Sequence, residues 1–547
     1  VSRPPRPCGI ESLIVSEESG GDALAAGSTV GSGMPPVASS AGPAAHPKPQ
    51  PTPNPAPHQA EAIRDLVAAF PVALELGERF AAAGFELYLV GGSVRDALLG
   101  RLGHDLDFTT DARPDAILKI LDGWADAVWE TGIEFGTVGA TRGSGAAAAQ
   151  IEITTFRADL YDGVTRKPSV TFGDTIENDL LRRDFTVNAM AVRLPDLTFV
   201  DPYGGLRHLD AAMLDTPSYP ERSFRDDPLR MMRACRFVAQ LGLFIAPRVV
   251  AAMTEMAGEI ARITPERINT ELTRLMCGAD PRAGLELMTD TGLAEHVLPE
   301  LPALRLERDE HHQHKDVYQH TLTVVEQAIE LEQAEQRAVG QPLEPDLVLR
   351  LAALLHDIGK PATRRFEPGG GVSFHHHEVV GAKLARARLK ALRYPKHVVD
   401  EVGQLVFLHL RFHGYGGGAW TDSAVRRYVT DAGDLLPRLH KLVRADCTTR
   451  NRRRRAALQS TYDELEHRID ALVAAEDLAR VRPDLDGNAI MTLLGVKPGP
   501  VVGRAWQYLK ELRLEHGPMD RDAAEIALLA WAAREGLVDP ATGAPLK

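Results

Sequence analysis

The sequence predicts an α+β fold: a small head with a mixed sheet, then a mostly helical neck, a second helical domain and a helical tail. Three observations carry this expectation. An apolar run from Phe85 to Val90 reaches Gly91-Gly92 and then a short helical stretch, Ser93 to Leu99, the pattern of a buried strand turning into a helix. A helix predicted over Pro114 to Leu121 alternates with strand patterns around Gly136 to Ala140 and Gln150 to Arg157. Beyond about residue 215 the informative segments read as helices, with arginines every third residue from Arg230 and an apolar helix over Leu347 to Leu355. The expected divisions are an arm (1–60), head (61–215), neck (216–305), histidine-bearing domain (306–460) and tail (461–547).

The arm is rich in Pro, Ala, Gly and Ser, with a run from Pro47 to Pro57, and is expected to be disordered because it cannot bury enough apolar surface to offset its ordering entropy. Because the chain opens on Val1 and Met34 lies inside the arm, one reading is a misplaced translation start; an intact mass that includes Val1 to Gly33 refutes it. Neither a signal-peptide core nor a spanning apolar stretch is present, so a cytoplasmic location without membrane contact is expected. Cys8, Cys235, Cys277 and Cys447 have no metal-ligand spacing and fit reduced thiols. With 44% apolar and 25% charged residues the chain reads as globular, and its net charge of -13 excludes coating nucleic acid by bulk electrostatics. Any RNA contact must use local basic patches.

In the head, the backbone N–H groups of Gly91 and Gly92 can approach phosphate oxygens closely, the helix start adds partial positive charge, and Arg95 can pair with a phosphate in two-pronged fashion. Asp105 and Asp107, at spacing two, fall on one face of a strand, and two hard oxygen ligands side by side suit Mg²⁺. Glu152 could add a third carboxylate, but an ordinary surface residue is the favoured reading. The joined pattern of glycine turn, Val-Arg-Asp, Leu-Leu-Gly and Asp-x-Asp resembles the head of the nucleotidyltransferase superfamily that includes the CCA-adding enzymes and bacterial poly(A) polymerases, with a polymerase-β-like head.

The resemblance continues along the chain. Leu181-Arg-Arg-Asp-Phe-Thr-Val-Asn188 resembles a family motif that contacts the nucleotide, which implies that Arg183 binds the incoming nucleotide and that Asp184 and Asn188 sit in the site, Asp184 among the catalytic residues. Asp201-Pro-Tyr-Gly-Gly205 looks like the next family turn. On the helix opened by Pro228, Arg230, Arg233 and Arg236 form one positive stripe, with Met231, Ala234 and Phe237 turned to the core, where a triphosphate would be held. Arg225-Asp-Asp-Pro-Leu-Arg230 resembles the Glu-Asp-x-x-Arg motif of the class II enzymes, with Asp226 in place of Glu. That implies that Asp227 and Arg230 pair with the base edge, accepting C and A: a carboxylate accepts from an exocyclic amino group and a guanidinium donates to a ring acceptor. The helix from Thr264, an expected N-cap, and Pro265 matches a family helix and is assigned structure alone.

From Asp309 the composition changes. His311, His312, His314 and His320 are expected to precede a helix, and the helix ending at Leu355 runs into His356-Asp-Ile-Gly-Lys-Pro361; His375-His-His-Glu378, His409 and Asp446 follow. Imidazoles and carboxylates of this kind can converge on a cation. The order resembles the HD phosphohydrolase superfamily, which implies His320, His356, Asp357 and Asp446 as the basic ligand set for a divalent transition metal or Mg²⁺, with His377 and His409 matching the extra histidines of members that hold two metals. An active site of this kind would deliver a metal-bound hydroxide to a phosphate ester, a 2′,3′-cyclic phosphate or a damaged RNA end. Arg450, Arg452, Arg453, Arg454 and Arg455 form the densest basic cluster and are the first candidates for RNA phosphates. Leu485 to Gly503 reads as helix, turn, helix and resembles the family tail that lies near tRNA.

The function expected from these residues and the resemblance is metal-dependent, template-independent addition of CCA to tRNA 3′ ends from CTP and ATP, with Arg95, Arg183, Arg233 and Arg236 on the triphosphate. The alternatives are a poly(A) polymerase or A-only adding enzyme, and an HD phosphohydrolase with a degenerate head, which the intact Asp105, Asp107, Asp227 and Arg230 oppose. A non-catalytic RNA-binding protein would leave the paired metal sites unexplained.

Overall fold

The structure, a computed structural model, describes residues 47–101, 105–143, 148–157, 172–306, 316–368, 371–412, 420–448, 452–476, 482–539 and 544, and of residues 105, 452, 454 and 455 the backbone alone. Residues 1–46 of the expected arm, His311, His312 and His314, and Arg450 lie outside the described residues. The end of the proline run is tied to the head, contrary to the expectation for the whole arm. Gln50 N–H donates to Pro202 O (2.9 Å) and Asp201 N–H donates to Thr52 Oγ1 (3.1 Å), which anchors an extended segment that makes few hydrogen bonds of its own. Helix α1 then opens at proline 57.

In chain order the head comprises α1 (Pro57–Ala69), α2 (Pro71–Ala82), β1 (Leu87–Val90), α3 (Gly92–Leu98), β2 (Asp105–Thr110), α4 (Pro114–Leu121), β3 (Ala127–Trp129), β4 (Thr137–Arg142), β5 (Ala149–Thr155), α5 (Ile176–Leu181), β6 (Ala191–Leu194), β7 (Thr198–Val200) and α6 (Gly205–Asp210). Its seven strands lie in the order β3-β4-β5-β2-β1-β6-β7, with β2 and β5 parallel and the other neighbours antiparallel, so the sheet is mixed as expected. Strand alternation decides where the chemistry sits. Leu87, Leu89, Leu106, Phe108, Ile151 and Ile153 are buried in the main core on the face that α2 and α3 cover. Asp107 and Glu152 therefore point from the opposite face, and the β2–β5 register sets them side by side.

The neck holds β8 (Met213–Leu214), α7 (Pro220–Asp226), α8 (Leu229–Leu241), β9 (Phe244–Ile245), α9 (Pro247–Met256), α10 (Pro265–Met276), α11 (Pro281–Asp290) and α12 (Leu293–Val297). Helix α8 packs most heavily on α11 and α10, burying Met231, Ala234 and Phe237 as its periodicity predicted. Thr264 stands at the N-cap position of α10, but its side chain makes no capping bond; Pro265 supplies the start instead.

The histidine domain follows as α13 (Val317–Val339), α14 (Leu347–Leu355), α15 (Lys360–Thr363), the hairpin β10 (Arg365–Glu367) and β11 (Gly371–Ser373), α16 (His377–Ala391), α17 (Lys396–Leu408), α18 (Asp422–Ala432) and α19 (Leu436–Asp446). His320 lies in the first turn of α13, not ahead of it, because Asp316 caps that helix from Tyr318 N–H and Gln319 N–H. The tail is α20 (Arg452–Glu476), α21 (Gly487–Leu494), α22 (Pro500–His516) and α23 (Arg521–Arg534), the last three enclosing a core of their own around Leu509, Leu528 and Trp531. Arg426 of α18 ties that core in through α22, its Nη1 donating to Leu514 O and Glu515 O at 3.4 Å each, and its Nε and Nη2 donate to Glu476 at the end of α20 at 2.7 and 2.9 Å.

Candidate active site and metal centre

The head and neck enclose a cleft of about 580 Å³. Its floor is the turn after β1, where Gly91 takes φ 72°, a region that favours glycine, and a side chain there would stand 3.1 Å from Arg183 Nη1. Arg95, Arg183, Arg230, Arg233, Arg236, Arg267 and Arg274 line the cleft and outnumber Asp96, Asp107, Asp184 and Asp227. On a chain of net charge -13, this is a locally positive pocket, with seven arginines against four carboxylates.

Asp184 is the hub. Its Oδ1 accepts from Phe185 N–H (2.8 Å) and Asn188 Nδ2 (3.0 Å), and its Oδ2 accepts from Arg233 Nε (2.7 Å). Burial alone would raise its pKa, but Arg233, Asn188 and Arg230 override that and hold the carboxyl well below the usual range. Asn188 in turn accepts from Arg95 Nη1 (2.6 Å), while Arg95 Nε and Nη2 face Asp96 at 2.9 and 2.8 Å. Arg95 thus lines the cleft with its two-pronged edge on Asp96, which it must release to grip a phosphate in that way. Arg236, almost fully buried, sits 2.9 Å from Glu271 and over the ring of Phe237 at 4.3 Å; burial lowers its pKa to about 10.

The pair predicted from the sequence to read the base is held by partners on α7, α8, α10 and the turn after α5. Asp227 Oδ1 accepts from Leu229 N–H (3.2 Å) and its Oδ2 from Arg267 Nη2 (2.8 Å). Arg230 donates to Ser223 Oγ (2.7 Å) and Arg182 O (2.5 Å), which fixes the guanidinium plane. Sequence reasoning missed Arg267, Glu271 and Arg274: helix α10, assigned structure alone, brings two of them to the cleft and pairs Glu271 with the arginine stripe. The signal was the i, i+4 spacing of Arg267 and Glu271, which puts both on one face. Asp105 opens β2 in register with Gln150.

A second cluster lies in the histidine domain. His320, His356 and Asp446 gather on one side, and Asp357, His377 and His409 on the other. Asp357 joins them: its Oδ2 lies 3.2 Å from His356 Nε2 and 3.5 Å from His320 Nε2, and its Oδ1 lies 3.2 Å from His377 Nε2 and 4.0 Å from His409 Nε2. Nδ1 of His356, His377 and His409 each meets a backbone carbonyl, of Ala353, Phe374 and Val406, at 2.8, 2.8 and 2.6 Å. A carbonyl can only accept, so each of these rings, when neutral, carries its proton on Nδ1 and turns a lone pair on Nε2 towards the carboxylates. The Nε2 atoms of His377 and His409 are buried without a hydrogen-bond partner. Burial pushes His409 down to about 3, so it stays neutral, whereas at His356 burial is overridden by the Asp357 carboxylate, which raises the ring's pKa. Lone pairs aimed at carboxylate oxygens fit a cation between them, and the mixed imidazole–carboxylate donors suit a divalent metal. Gly359 is required beside this cluster, since a Cβ there would meet His377 O at 2.1 Å.

The basic cluster is placed only in part: α20 begins at Arg452, and Arg453 is exposed.

Comparison with known proteins accords with this geometry. The Poly A polymerase head domain matches residues 87–215, the probable RNA and SrmB-binding site of polymerase A residues 242–304, and the HD domain residues 317–473. An A-adding tRNA nucleotidyltransferase of Deinococcus radiodurans is 33% identical over 448 residues, 78% of this chain and 91% of that one. The chain belongs to the tRNA nucleotidyltransferase/poly(A) polymerase family. Within the family, a CCA-adding enzyme of Lacticaseibacillus paracasei is 43% identical over 226 residues, and there the chain spans about half of the relative's length, 54%. The crystal structure of the Bacillus stearothermophilus CCA-adding enzyme in complex with CTP superposes with a TM-score of 0.60 at 25% identity, covering 86% of this chain and 99% of that one. Nucleotidyltransferase heads and HD domains are metal-dependent families, and the described residues supply a candidate metal-binding group for the second. Among the described residues no helix is long and apolar enough to cross a membrane, and Cys235, Cys277 and Cys447 are free.

Proposed function

We propose that the chain is a cytoplasmic enzyme that adds CCA to tRNA 3′ ends from CTP and ATP, releasing pyrophosphate. The single observation that carries this reading is the cleft in which the glycine turn and Asp107 face Asp227, Arg230 and Arg233. A nucleoside triphosphate laid there would have its phosphates among Arg183, Arg233 and Arg236, and its base at Asp227 and Arg230, where C and A each offer an amino group to the carboxylate. Asp105 and Asp107, with Glu152 beside Asp107, are the residues that would hold Mg²⁺, which when bound supplies an activated RNA 3′-hydroxyl and neutralises the leaving pyrophosphate. The protein's own share is positioning: Asp184 and Asn188 align the arginines, and Arg267 orients Asp227. The arginines at the start of α20 would meet RNA phosphates. Labelled CTP and ATP, incubated with Mg²⁺ and a tRNA transcript lacking CCA, test the reading; no incorporation of either would overturn it.

The Deinococcus radiodurans relative, named for A addition and matched along most of its length, favours a second reading in which this chain adds the terminal A alone. At the HD site we infer a divalent metal held by His320, His356, Asp357 and Asp446, with His377 and His409 for a second ion, and hydrolysis of a phosphate ester such as a 2′,3′-cyclic phosphate.

A further inference from the structure

The hairpin β10–β11 is inserted in the chain between Asp357 and His377, two residues of the same half of the HD cluster. It begins after α15, which follows His356-Asp357, and it ends four residues before His377. Its root touches the site directly. Phe374 O fixes Nδ1 of His377 at 2.8 Å, and Lys360, whose Nζ donates to Asp357 Oδ2 at 2.6 Å, lies 5.7 Å from the centroid of the Phe374 ring. From there the ladder runs outward: Arg365 pairs with Ser373 and Phe366 with Val372. Two strand steps, on the order of 7 Å, separate residue 372 from residue 374.

Phe366, at the middle of β10, is 72% exposed, the most exposed of the large apolar side chains among the described residues. A single exposed apolar residue is ordinary. This one shares its face with Arg364, whose guanidinium lies 4.8 Å from the ring centroid, and Arg365 beside it is exposed on the other face. An aromatic ring flanked by arginines is the arrangement that takes a nucleobase by stacking and its backbone by charge, and it serves any base because every base has a π face. An acidic peptide would use the arginines but has no need of a ring beside a metal centre.

We propose that this hairpin is a base-stacking platform, with Phe366 holding the terminal nucleoside of a single-stranded RNA or nucleotide while its phosphate ester reaches the metal centre. The proposal deepens the hydrolase reading of the HD site and rests on it for the identity of the ester. It makes the substrate class nucleoside-bearing phosphate esters, with little preference among bases.

The test uses the full chain loaded with Mn²⁺ and 2-aminopurine riboside 2′,3′-cyclic phosphate, whose fluorescence is quenched on stacking. Phe366→Ala removes an exposed side chain and should weaken the quench-detected affinity about tenfold, while Phe366→Trp retains it. The ratio of kcat/KM for this ester to that for ribose 2′,3′-cyclic phosphate, which lacks a base, should fall by a similar factor in Phe366→Ala. Absence of quenching by the wild-type chain, or equal quenching by Phe366→Ala, overturns the platform whatever the hydrolysis shows. Quenching that depends on Phe366 without hydrolysis of either ester supports the platform and removes the hydrolase reading.

Discussion

Arg233 Nε donates to Asp184 Oδ2 at 2.7 Å, joining helix α8 of the neck to the turn after α5 of the head across 49 residues of sequence. The pair aligns the cleft: Asp184 also accepts from Asn188, which accepts from Arg95 of α3. Asp184→Asn should keep the shape and remove the charge. The expected outcome is a loss of transfer of about a hundredfold in kcat/KM and about 2 kcal/mol of stability, read by steady-state kinetics and thermal unfolding.

The same pair sets an acid limb of stability. The folded pKa of Asp184 is depressed below an unfolded value of about 3.9, so its contribution is complete above the unfolded value and is lost as pH falls below it. Unfolding of the wild-type chain between about pH 5 and 2 should therefore be steeper than that of Asp184→Asn, whose residue 184 does not titrate.

Asp107 is the described carboxylate of the pair expected to hold Mg²⁺, and Glu152 is its neighbour across the β2–β5 register. Asp107→Ala should lower nucleotide incorporation by about a thousandfold or more, equivalent to several kcal/mol of lost charge stabilisation. Glu152→Gln should raise the Mg²⁺ concentration needed for half-maximal rate by about tenfold; an unchanged requirement would return Glu152 to the role of a surface residue.

Arg267 holds Asp227 from α10, yet about half of its side chain is exposed, so its influence is discounted for solvent screening. Arg267→Ala should raise KM for CTP and ATP about three- to fivefold with little change in kcat, whereas Asp227→Ala should lose discrimination against GTP and UTP. Competition assays with all four nucleotides separate the two effects.

Asp357 contributes one oxygen to each half of the HD cluster. Metal analysis of the purified chain should find up to two divalent ions, His377→Ala should retain one, and Asp357→Ala should retain neither. Two ions retained by Asp357→Ala would contradict the shared-ligand geometry.

The elements that could be read from the sequence were those whose cause is local. Helix α4 and helix α14 begin and end where proline, aspartate and apolar spacing place them, and the carboxylate spacing of β2 needed only strand alternation. The residues that escaped reading depend on elements meeting at a distance. Glu271 matters because α10 packs on α8, and Gln50 because a proline run meets the turn at Pro202; Glu152 can be named from the sequence, but its place beside Asp107 needs the pairing of β5 with β2. The hairpin at Phe366 was missed because strands of three residues carry too little periodicity to register.

The central claim is tested most directly with tRNA transcripts lacking the last three, two or one nucleotides, incubated with Mg²⁺ and with CTP and ATP separately and together, and with their 3′ ends sequenced. The account predicts that all three grow to CCA and no further. Addition of A to the shortest deficit alone would replace it with the A-adding reading, and long A runs on any RNA, or no extension of any transcript, would contradict it.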